Sequence, residues 1–190
     1  MEHAHHQQKT SIATTFINFM RRHYWVLFLL LLLFLFRKTV VSALLVIFLI
    51  GIGILSTLTT RIFNYNMGIE LITFVTIVLA YAYNPFTALI AAIIMVFGSS
   101  VLQGRLICPI TIGRYGTYVI LCLLAGIFSG IHVTTAGKFL TIVYNLLLWA
   151  VYAMVKGFSL VKGAIPVVVS IALNFFLFST FAQPLVQALE

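Results

Sequence analysis

Acidic side chains are almost absent from this sequence. It contains no aspartate, and two of its three glutamates, Glu2 and Glu190, lie at the ends, so Glu70 is the one interior carboxylate. Enzymes that use paired carboxylates as acid and base need two such groups close together. Magnesium and calcium sites also depend on carboxylate oxygens. The composition therefore argues against both kinds of site.

Charge of either sign is scarce. Only 7% of the residues are charged and 63% are hydrophobic, which leaves too little polar surface for a soluble domain of 190 residues. We therefore predict a multi-pass integral protein of the cell membrane, surrounded by lipid. In such a protein the net charge of +8 marks loop ends that face the cytoplasm. It does not indicate a nucleic-acid partner.

Cysteine and catalytic motifs are equally sparse. Cys108 and Cys122 are too few for a disulfide framework. The run "GIFSGIH" places Ser129 three residues before His132, but it does not match the Gly-x-Ser-Gly motif of intramembrane serine proteases. We therefore expect no enzymatic activity and no cofactor.

Long apolar runs, by contrast, recur throughout the sequence. A membrane-spanning helix needs about 20 predominantly apolar residues. Six segments meet this requirement, namely Thr39–Thr60, Met67–Tyr83, Pro85–Gln103, Tyr115–Ile131, Phe139–Val155 and Gly163–Phe181. The predicted fold class is therefore all-α, a polytopic transmembrane helical bundle.

The connections between these segments carry turn residues. Asn84-Pro85 separates spans two and three, because proline cannot continue a helix. The stretch "GRLICPITIGRYG" is predicted to be the longest internal loop, and "HVTTAGK" and "VKGFSLVKG" are predicted turns.

One further apolar segment, Tyr24–Phe36, is short and flanked by basic residues. Its thirteen residues would reach about 20 Å as a helix, against a hydrocarbon core of about 30 Å. If it lies at the interface the chain has six spans and the basic residues divide six to five; if it crosses, there are seven spans and a division of three to eight. Length favours six spans and charge favours seven. We adopt six, with residues 1–38 as an N-terminal tail and interfacial helix and residues 39–190 as one transmembrane domain.

The N-terminal run "MEHAHH" offers a metal-binding interpretation. His3, two backbone amides and a free amino terminus have the donor set of a square-planar copper or nickel site. A tail without a metal is the alternative.

The run "YNPFTALIAAIIMVFGSSVLQGR", followed by "GRYGTYVILCLLAGIF", resembles the membrane-embedded substrate-binding (S) components of energy-coupling-factor transporters. Rod-shape MreD proteins have a similar layout. The first resemblance implies six helices, a small ligand and partner subunits that couple uptake to ATP; the second implies a scaffold. S components place a small-xxx-small motif on their first helix, whereas here Ala88 and Ala92 lie on span three. This departure leaves the partner-binding surface unassigned.

Polar side chains within the spans suggest where a ligand would bind. Asn145, Trp149 and Tyr152 share one face of span five at spacings of four and three residues. Tyr118 on span four and Asn174 on span six are comparable. Such groups either hydrogen-bond between helices or line a site between spans four, five and six, where S components hold their ligand.

The charged loop residues give a second candidate site. In the six-span topology Arg61, Glu70, Arg105 and Arg114 belong to the same membrane face. Cations around one carboxylate attract an anionic group, which is either part of a ligand or a lipid phosphate. We predict that Arg105 and Arg114 contact ligand. We also predict that Glu70 forms a salt bridge with one of the three arginines Arg61, Arg105 and Arg114, with Arg61 as the adopted pairing. A role as a helix-start residue and direct ligand contact are the alternatives for Glu70.

Overall fold

The structure is a computed structural model that describes residues 35–62, 68–104, 108–156 and 160–190, together with Trp25 and Phe28. Across these residues every regular element is α-helical, which confirms the predicted all-α class. The helices are α1 Arg37–Ser56, α2 Leu58–Ile62, α3 Ile72–Ala82, α4 Pro85–Gln103, α5 Pro109–Ile127, α6 Val133–Lys156, α7 Leu160–Thr180 and α8 Ala182–Leu189.

The chain divides into two compact units, Met1–Ala43 and Leu44–Glu190. In the first unit the described residues include the beginning of α1 and, directly before it, Leu35 and Phe36, which are exposed. Most of the predicted interfacial segment Tyr24–Phe36 lies outside the described residues, so its position at the membrane stays a prediction. The second unit contains the rest of α1 and helices α2 to α8.

Four of the described helices are long and apolar enough to cross a membrane. They are α1, α4, α5 and the Val133–Val155 part of α6. A fifth crossing is available if Ala164–Thr180 and Ala182–Leu189, which are bent by 57° at Phe181, count as one broken span. The remaining predicted span, Met67–Tyr83, contains only the 11 residues of α3. Those reach about 17 Å, so α3 alone is too short.

The break at Asn84-Pro85 is confirmed. Asn84 is extended, with φ −170° and ψ 163°, and its side-chain Oδ1 accepts a hydrogen bond of 2.8 Å from the Thr87 amide. Pro85 occupies the first helical turn, where its missing N–H costs nothing. Helix α4 therefore has the predicted bounds.

The predicted start of span four was wrong. Helix α5 begins at Pro109, six residues before Tyr115, so most of the described part of "GRLICPITIGRYG" is helical. Cys108 is extended at φ −125° and ψ 138°, and Pro109 starts the first turn. Proline interrupts a helix interior but fits a helix start; Pro85 was predicted to start a helix, whereas Pro109 was predicted to lie in a loop.

The predicted turn "HVTTAGK" was also wrong, because α6 begins at Val133. The His132 carbonyl accepts hydrogen bonds of 3.0 Å from the amides of Thr135 and Ala136, which starts the helix. Gly137 belongs to the predicted turn, but it lies inside α6 against the ring of Phe178, where a Cβ would overlap the ring. The glycine therefore serves close helix packing.

The short helix α3 is the centre of the second unit. All nine residues from Ile72 to Ala80 are buried, and α3 contacts α4, α5, α6, α7 and α8. The segment before α3 is fixed at two points. The Leu71 amide donates a hydrogen bond of 3.0 Å to Ser56 Oγ of α1, and Gly68, with φ 74°, lies against the Pro166 carbonyl of α7. A side chain at position 68 would overlap that carbonyl and would strain the backbone.

Candidate functional site: a buried Glu70–Arg114 pair

The non-helical segment that leads into α3 places Glu70 against α5 and α6. Its Oε1 atom forms an ion pair with Nη2 of Arg114. The same oxygen accepts hydrogen bonds from the Tyr118 hydroxyl at 3.1 Å and from the Tyr144 hydroxyl at 3.5 Å. Three donors from two helices therefore converge on one carboxylate oxygen.

Helix spacing explains how the donors come together. Arg114 and Tyr118 are four residues apart on α5, so they share one face. Tyr144 comes from α6, and its ring lies 4.9 Å from the Tyr118 ring, between centroids. The Tyr118 hydroxyl is also 3.4 Å from Thr73 Oγ1 on α3. The cluster thus joins three helices of the bundle core.

The cluster is buried but not sealed. Tyr118 and Tyr144 are 0% and 1% exposed, and Arg114 is 8% exposed. The side chain of Glu70 keeps 19% exposure. A single buried charge is very costly, so the pair is far more favourable than either member alone. The remaining exposure of Glu70 gives the pair one approach from outside.

Three buried polar side-chain atoms have no hydrogen-bond partner among the described residues: Nε of Arg114, Oγ1 of Thr76 and Oδ1 of Asn174. Such atoms are uncommon in folded proteins because an unmade hydrogen bond in the interior costs about 1–3 kcal/mol. One of them belongs to the guanidinium that pairs with Glu70. The cluster therefore has donor capacity beyond what its own carboxylate uses.

The structure brings two of the predicted ligand residues, Arg114 and Tyr118, into this cluster. Asn145 and Asn174 are buried, but each donates through Nδ2 to a carbonyl of its own helix at 2.8 Å, Asn145 to Thr141 and Asn174 to Ser170. Trp149 and Tyr152 are half-buried on α6. Arg105 lies outside the described residues.

Glu70 pairs with Arg114 and not with Arg61, so the adopted pairing needs correction. Nη1 of Arg61 instead donates a hydrogen bond of 2.7 Å to the Leu102 carbonyl in the last turn of α4. The physical reason is the early start of α5 at Pro109. It places Arg114 one and a half turns inside a helix that packs on α3, whereas the sequence analysis left Arg114 in a loop.

Two members of the cluster, Tyr144 and Thr73, were missed. The ligand face predicted for α6 carries Asn145, Trp149 and Tyr152. The buried stripe runs instead through Ala136, Leu140, Tyr144 and Leu148, at intervals of four residues. Their four-residue spacing was the available signal, because residues four apart lie on the same face of a helix.

The metal site predicted at His3 lies outside the described residues and stays a prediction. Within the part of the chain that the structure describes, no group of three or more histidine, cysteine or acidic residues is placed to hold a metal ion. Cys108 and Cys122 are both free thiols.

Comparison of the chain with family models, with curated proteins and with solved structures gave no match.

Proposed function

We propose that this chain is a membrane-embedded subunit that binds a small molecule for uptake across the cell membrane and works with partner subunits, as S components do. The observation that supports this most is the buried ion pair of Glu70 and Arg114, with Tyr118 and Tyr144 on the same carboxylate oxygen. Ionisable residues within membrane bundles are rare, and they typically mark substrate or ion pathways.

Stability alone does not account for the pair. Replacing a buried ion pair by apolar residues of similar volume is often neutral or stabilising. In a bundle whose core otherwise consists of residues such as Ile72, Val75 and Leu121, an apolar solution was available at the same place. A binding role explains why two charged side chains occupy this buried position although removing them from water is costly.

The short helix α3 supports the same proposal. Transporters form their sites at interrupted helices, where non-helical backbone lies at membrane depth inside protein. Glu70 sits directly before α3 in such a segment, which is bounded by the left-handed Gly68. Residues 68–71 add at most about 13 Å to the 17 Å of α3, so together they approach the roughly 30 Å of the hydrocarbon core. On this basis we propose six crossings.

Partner subunits would dock on a different surface from the small-residue motif noted in the sequence. Ala88 and Ala92 are fully buried, and α4 packs on α3 and α5, so this motif is used inside the chain. The sequence contains no recognisable nucleotide-binding motif, so the energy for uptake would come from the partner subunits.

The test is ligand-dependent thermal stability of the purified full chain in a neutral detergent. The panel contains vitamins, amino acids, nucleobases, metal ions and small organic acids. A true ligand at 100 times its dissociation constant stabilises the folded state by about 2.7 kcal/mol, which raises the melting temperature measurably. If no member of the panel raises it while protein partners co-purify, the scaffold alternative replaces this proposal.

A further inference from the structure

The guanidinium of Arg114 is only partly used by the chain. Nη2 pairs with Glu70, whereas Nε has no partner among the described residues although Arg114 is 8% exposed. A guanidinium presents five N–H donors in a planar fork that matches a carboxylate or a phosphate in bidentate fashion. A second acceptor would satisfy a donor that is otherwise buried at a cost.

The composition of the cluster indicates that a group bound to it from outside would be a hydrogen-bond acceptor and not a donor. Glu70 is the one interior carboxylate of the chain, and Arg114 already neutralises it. Three donors share its Oε1 atom, so the cluster has more donors than acceptor sites in use. The pair is neutral overall, so the deciding group is the Nε–H of Arg114, a donor that only an acceptor can satisfy. An anionic group that displaces Glu70 would accept from Arg114 and from both tyrosine hydroxyls.

We infer that the molecule bound by this chain carries an anionic oxygen group, a carboxylate or a phosphate, which binds Arg114 in competition with Glu70. Glu70 then acts as the internal anion that holds the site when no ligand is bound. This inference rests on the proposed function and adds the chemical class of its substrate. The partial exposure of the Glu70 side chain provides the side from which the competing anion arrives.

The first experiment compares matched probes on the full chain in neutral detergent. Nicotinate, benzoate and pantothenate are each tested beside their uncharged counterparts nicotinamide, benzamide and panthenol, and inorganic phosphate is tested beside chloride. The melting temperature should rise with at least one of these anions and stay unchanged with its neutral counterpart. A further arm adds phosphatidylglycerol, which carries an anionic phosphate on a lipid.

The second experiment uses variants of the pair. Glu70→Gln removes the competing carboxylate, so the active anion should bind at least about tenfold more tightly. Arg114→Gln should weaken its binding by about 10- to 100-fold, because a charged hydrogen-bond donor is lost. If Arg114→Gln does not fold, the double variant Glu70→Gln/Arg114→Gln leaves no unpaired charge and should show the same loss. Arg61→Gln is the matched control and should bind as the original chain does.

Each outcome has one meaning. Tighter anion binding in Glu70→Gln together with its loss in the double variant supports the inference, because a purely structural pair would give no gain in the first variant. Equal rises in melting temperature with anions and with their neutral counterparts overturn the inference that the ligand is anionic. A rise confined to neutral or cationic members of the wider panel also overturns it. Both outcomes leave the proposed binding function intact. A shift with phosphatidylglycerol alone overturns the substrate assignment and identifies a lipid site. No shift with any probe or panel member overturns both proposals.

Discussion

At the scale of single residues, the energetics of the second unit depend on Glu70 and Arg114. Each charge alone would be very costly at its position, and the ion pair removes most of that cost. The hydroxyls of Tyr118 and Tyr144 supply further hydrogen bonds to the same oxygen. Removing one member of the pair should therefore be worse than removing both.

We predict that Arg114→Gln lowers the free energy of unfolding by about 2–4 kcal/mol, because it leaves the largely buried Glu70 carboxylate without its cation. The double variant Glu70→Gln/Arg114→Gln should recover much of this loss. Unfolding of each variant in mixed detergent at neutral pH measures the difference. Arg61 is exposed and its guanidinium donates a hydrogen bond to the Leu102 carbonyl at the end of α4. Arg61→Gln should therefore lower the free energy of unfolding by less than about 1 kcal/mol. Equal losses in the single and double variants would contradict the prediction.

At the scale of elements, close helix contacts depend on individual glycines. In a lipid environment helices gain little from hydrophobic burial against each other, so backbone approach at small residues is important. Gly113 of α5 lies against Val151 of α6, and Gly137 of α6 lies against Phe178 of α7. Helix α6 is thus held to both of its sequence neighbours at positions without a side chain.

Gly113→Ala is expected to destabilise the protein by about 1–3 kcal/mol, because its Cβ would overlap the Val151 side chain. Gly116→Ala on the same helix is the matched control. No heavy atom among the described residues lies within 4 Å of a Cβ built there, so this change should be neutral or should stabilise by up to about 1 kcal/mol. Melting temperatures of the two variants, measured in one detergent, give the comparison. A loss of similar size at both positions would mean that α5 does not pack on α6 as described.

At the scale of the whole molecule, the number of membrane crossings depends on whether α3 is part of one. Tyr83 and Asn84 form a two-residue connection between α3 and α4, which pack on each other, so the two helices are antiparallel neighbours. If residues 68–71 and α3 together cross the membrane, they add a sixth crossing to the five available from the other helices, and the number is even. If α3 enters the membrane and returns on the same side, the number stays at five and is odd.

We therefore expect both ends of the chain on the same side of the membrane. The test uses Cys108→Ser/Cys122→Ala as background, with a single new cysteine at position 10 or at position 190. Impermeant thiol reagents, applied to intact cells and to inverted vesicles, should label both positions from the same side. Labelling of the two positions from opposite sides would exclude six crossings and would support seven, or five with α3 re-entrant.

The features that were predicted correctly from the sequence depend on interactions between residues close together in the chain. Low charge and long apolar runs predicted membrane helices, and Asn84-Pro85 predicted the break before α4, because both depend on neighbouring residues only. Helix starts at Pro109 and Val133 were missed, since proline and glycine each have two structural uses and packing decides between them. The 11-residue length of α3 was also missed, because the apolar run extends beyond the helix on its N-terminal side.

The sequence by itself predicted a lipid environment and determined the helical class and the presence of one interior carboxylate. Only the tertiary structure decided what that carboxylate contacts. Arg114 and Tyr144 lie 44 and 74 residues beyond Glu70 in the chain, and helix periodicity carries no information over such separations. Their meeting depends on α5 and α6 packing around the short buried helix α3, which brings one oxygen of Glu70 within reach of donors from both.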